Sequence, residues 1–140
     1  MVREGPPALS LPKINHSSVV VQIARQHLQD NGCEQFAVIA VDARNHAIGI
    51  YTTSVGTLSG TLVHPREVFG PALVLKAHGI VLIHNHPTGH ADPSDEDNQL
   101  TTRLQQGCFL LGLRLLDHVI IGDGTDDYYS YHGKGVLPQT

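Results

Sequence analysis

The stretch His84–Asp97, HNHPTGHADPSDED, concentrates side chains that can do chemistry. Two histidines one residue apart at the end of a strand project from the same face, because side chains alternate with period two. His84 and His86 can therefore share one ion, while Asn85 points the other way and Pro87 turns the chain into a loop. After six intervening residues comes Ser94, a helix-capping residue type, with Asp97 three positions on, near the start of the predicted helix. Asp97 can close the ligand set as a third member. A catalytic zinc site commonly has three protein ligands and a fourth position held by water. Zinc lowers the pKa of such a water to about 7, which supplies a nucleophile without an activated serine or cysteine. Each half of the pattern also has a plainer reading. A lone His-x-His often only frames a polar face, and Ser94-x-x-Asp97 works as a capping box with Asp in place of Glu. Their conjunction across a short, proline-bounded loop is what points to a metal.

The elements that must position these residues follow from periodicity. Residues 1–16 carry three prolines and no sustained period, and read as an arm outside the core. A helix follows, capped by Ser17 or Ser18, with Val19, Val20, Ile23, Ala24, His27 and Leu28 on one face and Asn31-Gly32 as its stop. Gln35–Asp42 and about Ala47–Ser54 read as an antiparallel pair of strands. Pro65 opens a second helix. Gly79–His84, nearly all apolar, is expected at the centre of a sheet covered on both faces. The helix opened by Ser94 places Leu100, Leu104, Cys108 and Leu111 on one side, and Leu113–Gly122 and Asp127–His132 close the sheet around a Gly-Asp-Gly turn. The sum is one α/β sandwich of mixed strand direction, over residues 17–140.

Composition bounds what such a domain can do. The 140 residues suit one core that folds without disulfide or metal staples. Nine Lys plus Arg against thirteen Asp plus Glu give a formal charge of -4, the wrong sign for affinity built on phosphate neutralisation, and argue against direct nucleic-acid binding. Cys33 and Cys108 show neither a disulfide framework nor metal spacing, and no stretch resembles a signal peptide or a membrane span, which points to the cytoplasm. Ten histidines stand out. His90, in the loop, and His118, in an apolar strand, are neighbours that architecture accounts for; His16, His27, His46, His64, His78 and His132 have no partner in the pattern. Arg66, at a helix start, is accounted for in the same way, and Gly56–Gly60 lacks the spacing of a phosphate cradle.

His84-x-His86-Pro87, six residues, then Ser94-x-x-Asp97 resembles the JAMM motif of the JAB/MPN metallopeptidases. The segments Val63–Phe69 (VHPREVF), Gly56-Thr57-Leu58, Pro93-Ser94-x-x-Asp97 and Leu115–Gly122 (LLDHVIIG) are similar to its RadC-like branch, so the likeness covers roughly residues 17–137. That resemblance implies a single-domain α/β/α sandwich with a mixed sheet, of the JAB/MPN, cytidine-deaminase-like fold. It implies a zinc metallopeptidase in which His84, His86 and Asp97 hold Zn2+, Ser94 donates to the developing oxyanion, and a glutamate at the start of the first strand is the general acid/base. Glu34 matches that place; Glu67 and Glu96 are rivals that also suit a helix's first turn. Thr88 stands where the branch commonly has serine, and the upstream helix-hairpin-helix-like segment of full-length relatives has no counterpart before the first helix, so the chain reads as the catalytic-type domain alone.

The function expected is hydrolysis of a peptide or isopeptide bond in a peptide or protein substrate, by a zinc-activated water. Two alternatives stand beside it: a non-catalytic interaction domain associated with DNA repair, and a metal-dependent nuclease, against which the net charge counts. No membrane partner is expected, and an exposed edge strand could pair across a homodimer.

Overall fold

The computed structural model describes residues 12–28, 32–56 and 62–137. Its elements in chain order are α1 (Ser17–His27), β1 (Gln35–Val41), β2 (Ala47–Val55), α2 (Pro65–Val74), β3 (Gly79–His86), α3 (Asp95–Leu111), β4 (Arg114–Gly122) and β5 (Tyr128–Ser130). The apolar run Gly79–Asn85 is buried throughout, and β3 accordingly lies in the middle of one five-stranded sheet of order β2-β1-β3-β4-β5. β1 pairs antiparallel with both β2 and β3, β4 runs parallel to β3, and β5 returns antiparallel to β4. The parallel pair needs a crossover, which α3 provides.

Alternation along the strands sorts the core into two faces. Ala37, Ile39, Val81, Ile83, Val119 and Ile121 pack under Val20, Ala24 and Leu28 of the α1 segment. On the opposite face Phe36, Val38, Ile80, Leu82 and Leu115 meet Val68, Phe69 and Ala72 of α2 and Leu104 and Cys108 of α3. The result is a single α/β/α sandwich with a mixed sheet, as the sequence leads one to expect. His84 continues the Ile80–Leu82 row and so faces α3, whereas Asn85 continues the Val81–Ile83 row toward α1.

Several local expectations are corrected. Residues 12–16 are not an arm outside the core: the Ile14 N–H donates to the Asn45 carbonyl (2.7 Å), the Ala47 N–H to the Pro12 carbonyl (2.9 Å), and Ile14 is buried. A folded unit starting at residue 17 is therefore too short at its N-terminal side; residues 1–11 and 57–60, like Asn31, lie outside the described residues. His16, not a serine, caps α1, its Nδ1 accepting the Ser18 N–H. Leu111 is 44% exposed because Gly112, in the left-handed region at φ 72°, ends α3 before the apolar stripe completes another turn. β5 is shorter than Asp127–His132 because the His132 and Gly133 N–H groups donate to the side chains of Asp117 and Ser130, which turn the chain away.

Candidate metal centre

The C-terminal end of β3, the first turn of α3 and the residue preceding β1 meet at one place. Open α/β sheets commonly carry their sites there, outside the carboxyl ends of parallel strands. Glu34, His84, His86 and Asp97 each bring a donor atom there, all within 4.8 Å of one another. His84 Nε2 lies 3.1 Å from His86 Nε2, 3.3 Å from Asp97 Oδ1 and 3.7 Å from Glu34 Oε1, and Asp97 Oδ2 is 3.2 Å from His86 Nε2. His84 is buried, the Asp97 and His86 side chains are mostly covered, and the Glu34 carboxylate keeps a quarter of its surface open to solvent. Of the three glutamates weighed from sequence, Glu34 alone belongs to this group; Glu67 and Glu96 are exposed in the first turns of α2 and α3.

The donor set fits a cation. His86 Nδ1 is 2.8 Å from the His90 carbonyl, which can only accept, so this nitrogen carries the proton and Nε2 turns a lone pair toward two carboxylates. Lone pairs and carboxylates this close repel unless a proton or a metal ion lies among them. Desolvation lowers the His86 pKa, but the Asp97 carboxylate and the His90 carbonyl outweigh it and the net shift is upward. Burial pushes the Asp97 carboxyl up, yet its close contacts with the His84 and His86 rings and the hydrogen bond from the Ser94 N–H hold it well below the usual carboxylate range. Two nitrogens and carboxylate oxygens in a partly buried pocket are the ligand types that suit zinc.

Each donor is held from behind. Ser94 and Asp97 form a reciprocal capping box: the Ser94 hydroxyl accepts the Asp97 N–H at 3.1 Å, and Asp97 Oδ2 accepts the Ser94 N–H at 2.9 Å. The capping reading and the ligand reading of Ser94-x-x-Asp97 are thus compatible, since the box aims the carboxylate. The His90 carbonyl belongs to a loop seated on the end of β4, where Gly89 comes so close that a Cβ on Gly122 would stand 2.0 Å from the Gly89 oxygen. Asn85, fully buried between the two histidines, accepts the Gln35 N–H (2.7 Å) and donates to the Cys33 carbonyl (2.9 Å) and to Asp123 (2.7 Å). It clamps the backbone on both sides of Glu34. Sequence reasoning passed over Asn85, and the only signal was its place inside the His-x-His. His118, a buried and satisfied histidine as its place in an apolar strand leads one to expect, has its ring 2.8 Å from His84 Nδ1. The remaining histidines serve elsewhere where a contact exists, His16 at the α1 cap and His27 on Thr52.

The chain matches the family described as RadC-like JAB domain over residues 14–136. The chain belongs to that family. It is 40% identical over 126 residues to a UPF0758 protein of Desulfitobacterium hafniense, covering 90% of this chain and 55% of the relative. It is 41% identical to one of Rubrobacter xylanophilus over 126 residues (90% and 54%), and 45% identical over 104 residues to one of Symbiobacterium thermophilum (74% and 44%). This RadC-like JAB domain thus spans about half the length of the curated relatives it matches. Among its described residues no helix is long and apolar enough to cross a membrane.

Proposed function

We propose that this RadC-like JAB domain is a zinc-dependent hydrolase of peptide or isopeptide bonds. The observation that carries the reading is the convergence of Glu34, His84, His86 and Asp97 on one point at the end of β3. His84, His86 and Asp97 would hold the ion. Zinc, when bound, supplies a Lewis acid that polarises a carbonyl and makes water a nucleophile at neutral pH. Glu34, the most open of the four, takes the proton of the attacking water and returns it to the leaving amine. Ser94 is exposed beside Asp97, and its hydroxyl proton is free of the capping bond, in which the oxygen accepts; it donates to the oxyanion that develops on the substrate. The acidic balance of the chain favours a peptide or protein substrate over nucleic acid, and two thiols that need no oxidant fit a reducing compartment such as the cytoplasm.

Metal analysis of the purified protein with kinetics on peptide and isopeptide panels tests this. The expected result is one zinc per chain, lost in His84→Ala, and a Glu34→Gln variant that keeps zinc and loses hydrolysis. Absence of zinc, or Glu34→Gln at wild-type activity, would overturn the reading; cleavage of nucleic acid with none of the peptide panel would replace it by a nuclease.

A further inference from the structure

Behind His84 a buried chain of hydrogen bonds runs from one proposed ligand to the backbone of another. His84 Nδ1 is 2.8 Å from His118 Nε2, His118 Nδ1 is 2.6 Å from Thr101 Oγ1, and Thr101 Oγ1 is 2.7 Å from the Asp97 carbonyl oxygen. We infer that His118, held by Thr101, is a positioning residue that sets the tautomer of His84, so that His84 meets the metal centre with a lone pair on Nε2. The inference rests on the metal-site reading above and goes beyond it to two residues outside the ligand set.

The protons can be placed one at a time. The Asp97 carbonyl only accepts, so the single hydroxyl proton of Thr101 goes to it, as in the back-bond to the preceding helical turn that Ser and Thr often make. Thr101 Oγ1 then accepts from His118, and His118 Nδ1 must carry a proton. The His118 ring has no exposed surface; it is stacked on Tyr131 at 4.8 Å between centroids and meets the edge of Phe36 at 5.7 Å. A ring so enclosed is costly to charge. With its one proton on Nδ1, the uncharged ring turns a lone pair at Nε2 to His84. The proton of that contact therefore belongs to His84 Nδ1, and His84 Nε2 is left bare, facing His86 and Asp97. Ligand histidines elsewhere are oriented by a carboxylate or carbonyl in the same way; here a second imidazole does it, and its orientation is set in turn by the helix that carries Asp97.

The test uses the whole chain with 15N-labelled histidine, metal-free, at about pH 8, above the ordinary imidazole range. Long-range 1H–15N correlations should show His84 as the Nδ1–H tautomer. In His118→Leu the Nε2–H tautomer should appear, and zinc affinity, read by competition with a chelating dye, should fall about 10–100-fold. His118→Gln should restore both, because one amide can accept from His84 and donate to Thr101. If His118→Leu does not fold, Thr101→Val, which keeps the shape and removes the acceptor for His118, should shift the same two readouts. Nε2–H as the main wild-type form, or a variant that folds with tautomer and zinc affinity unchanged, would refute the inference. A protein that binds no zinc at all would defeat the metal reading while leaving the tautomer measurable.

Discussion

Ser94 shows how one side chain can satisfy two readings at once. Its oxygen accepts the Asp97 N–H and closes the N-terminus of α3, while its proton remains a separate donor. Glycine is nearly as good a helix cap as serine, costing only a few tenths of a kcal/mol. Ser94→Gly is therefore expected to leave urea stability almost unchanged and to lower kcat about 10²–10³-fold at similar KM, as removal of an oxyanion donor does. Unchanged kcat would reduce Ser94 to a cap. At this scale the sequence was most informative. His84, His86 and Asp97 were readable from strand period and a capping motif, because both are local in the chain. Glu34 was reachable only through the family resemblance, since fifty residues separate it from His84 and no spacing rule joins a strand start to a distant strand end. The reading of His118 as a satisfied, buried histidine holds, but its partners Thr101 and His84 lie on other elements and no local pattern names them.

At the scale of elements, the centre depends on how strand ends and loops are tied together. Asn85→Leu keeps the branched outline of the side chain with some added bulk, and leaves the buried Gln35 N–H and Cys33 carbonyl without this partner. The expected cost is at least about 1–3 kcal/mol, with zinc content preserved and kcat lowered through a displaced Glu34; denaturant unfolding, metal analysis and kinetics together check it. Retained kcat would mean that the Gly56 N–H, which donates to the Glu34 carbonyl at 2.7 Å, holds the segment alone. Gly122→Ala acts from the opposite side. The added methyl collides with the Gly89 carbonyl and must push the loop that brings the His90 carbonyl to His86. A stability loss of about 1–3 kcal/mol and a zinc affinity lower by about tenfold or more are expected by urea titration and calorimetry; an affinity equal to wild type would show that the loop yields without moving His90.

For the whole molecule, the two-faced core explains why the site can gather acceptors at one end of the sheet without threatening the fold. Buried side chains from all three helices cover both sheet faces, independent of any ion. One buried charge bears on stability directly. Burial pushes the Asp117 carboxyl up, and the hydrogen bonds from Ser130, His132 and His118 offset this only in part. The folded chain therefore binds this proton more tightly than the unfolded one, and the contribution of Asp117 to stability falls as pH rises from the ordinary carboxylate range through its raised value. Asp117→Asn keeps Oδ1 for the two backbone N–H groups and can donate to Ser130. Relative to wild type the variant should gain stability between about pH 4 and about pH 7, measured by urea unfolding at both. A difference that does not change with pH would sink the assignment.

The sequence by itself determined the layers, the central strand and three of the four clustered residues, because hydrophobic period, caps and turns act within a dozen residues of chain. Tertiary structure decided the rest. It drew Ile14 into the core by pairing it with a turn thirty residues away, brought Glu34 to the end of β3, and set His118 and Asn85 behind the ligands. The placements at the site follow from antiparallel and parallel registers between strands far apart in sequence, and that of Ile14 from an isolated bridge to the β1–β2 turn. Register is fixed by the packing of whole faces, which no local pattern encodes.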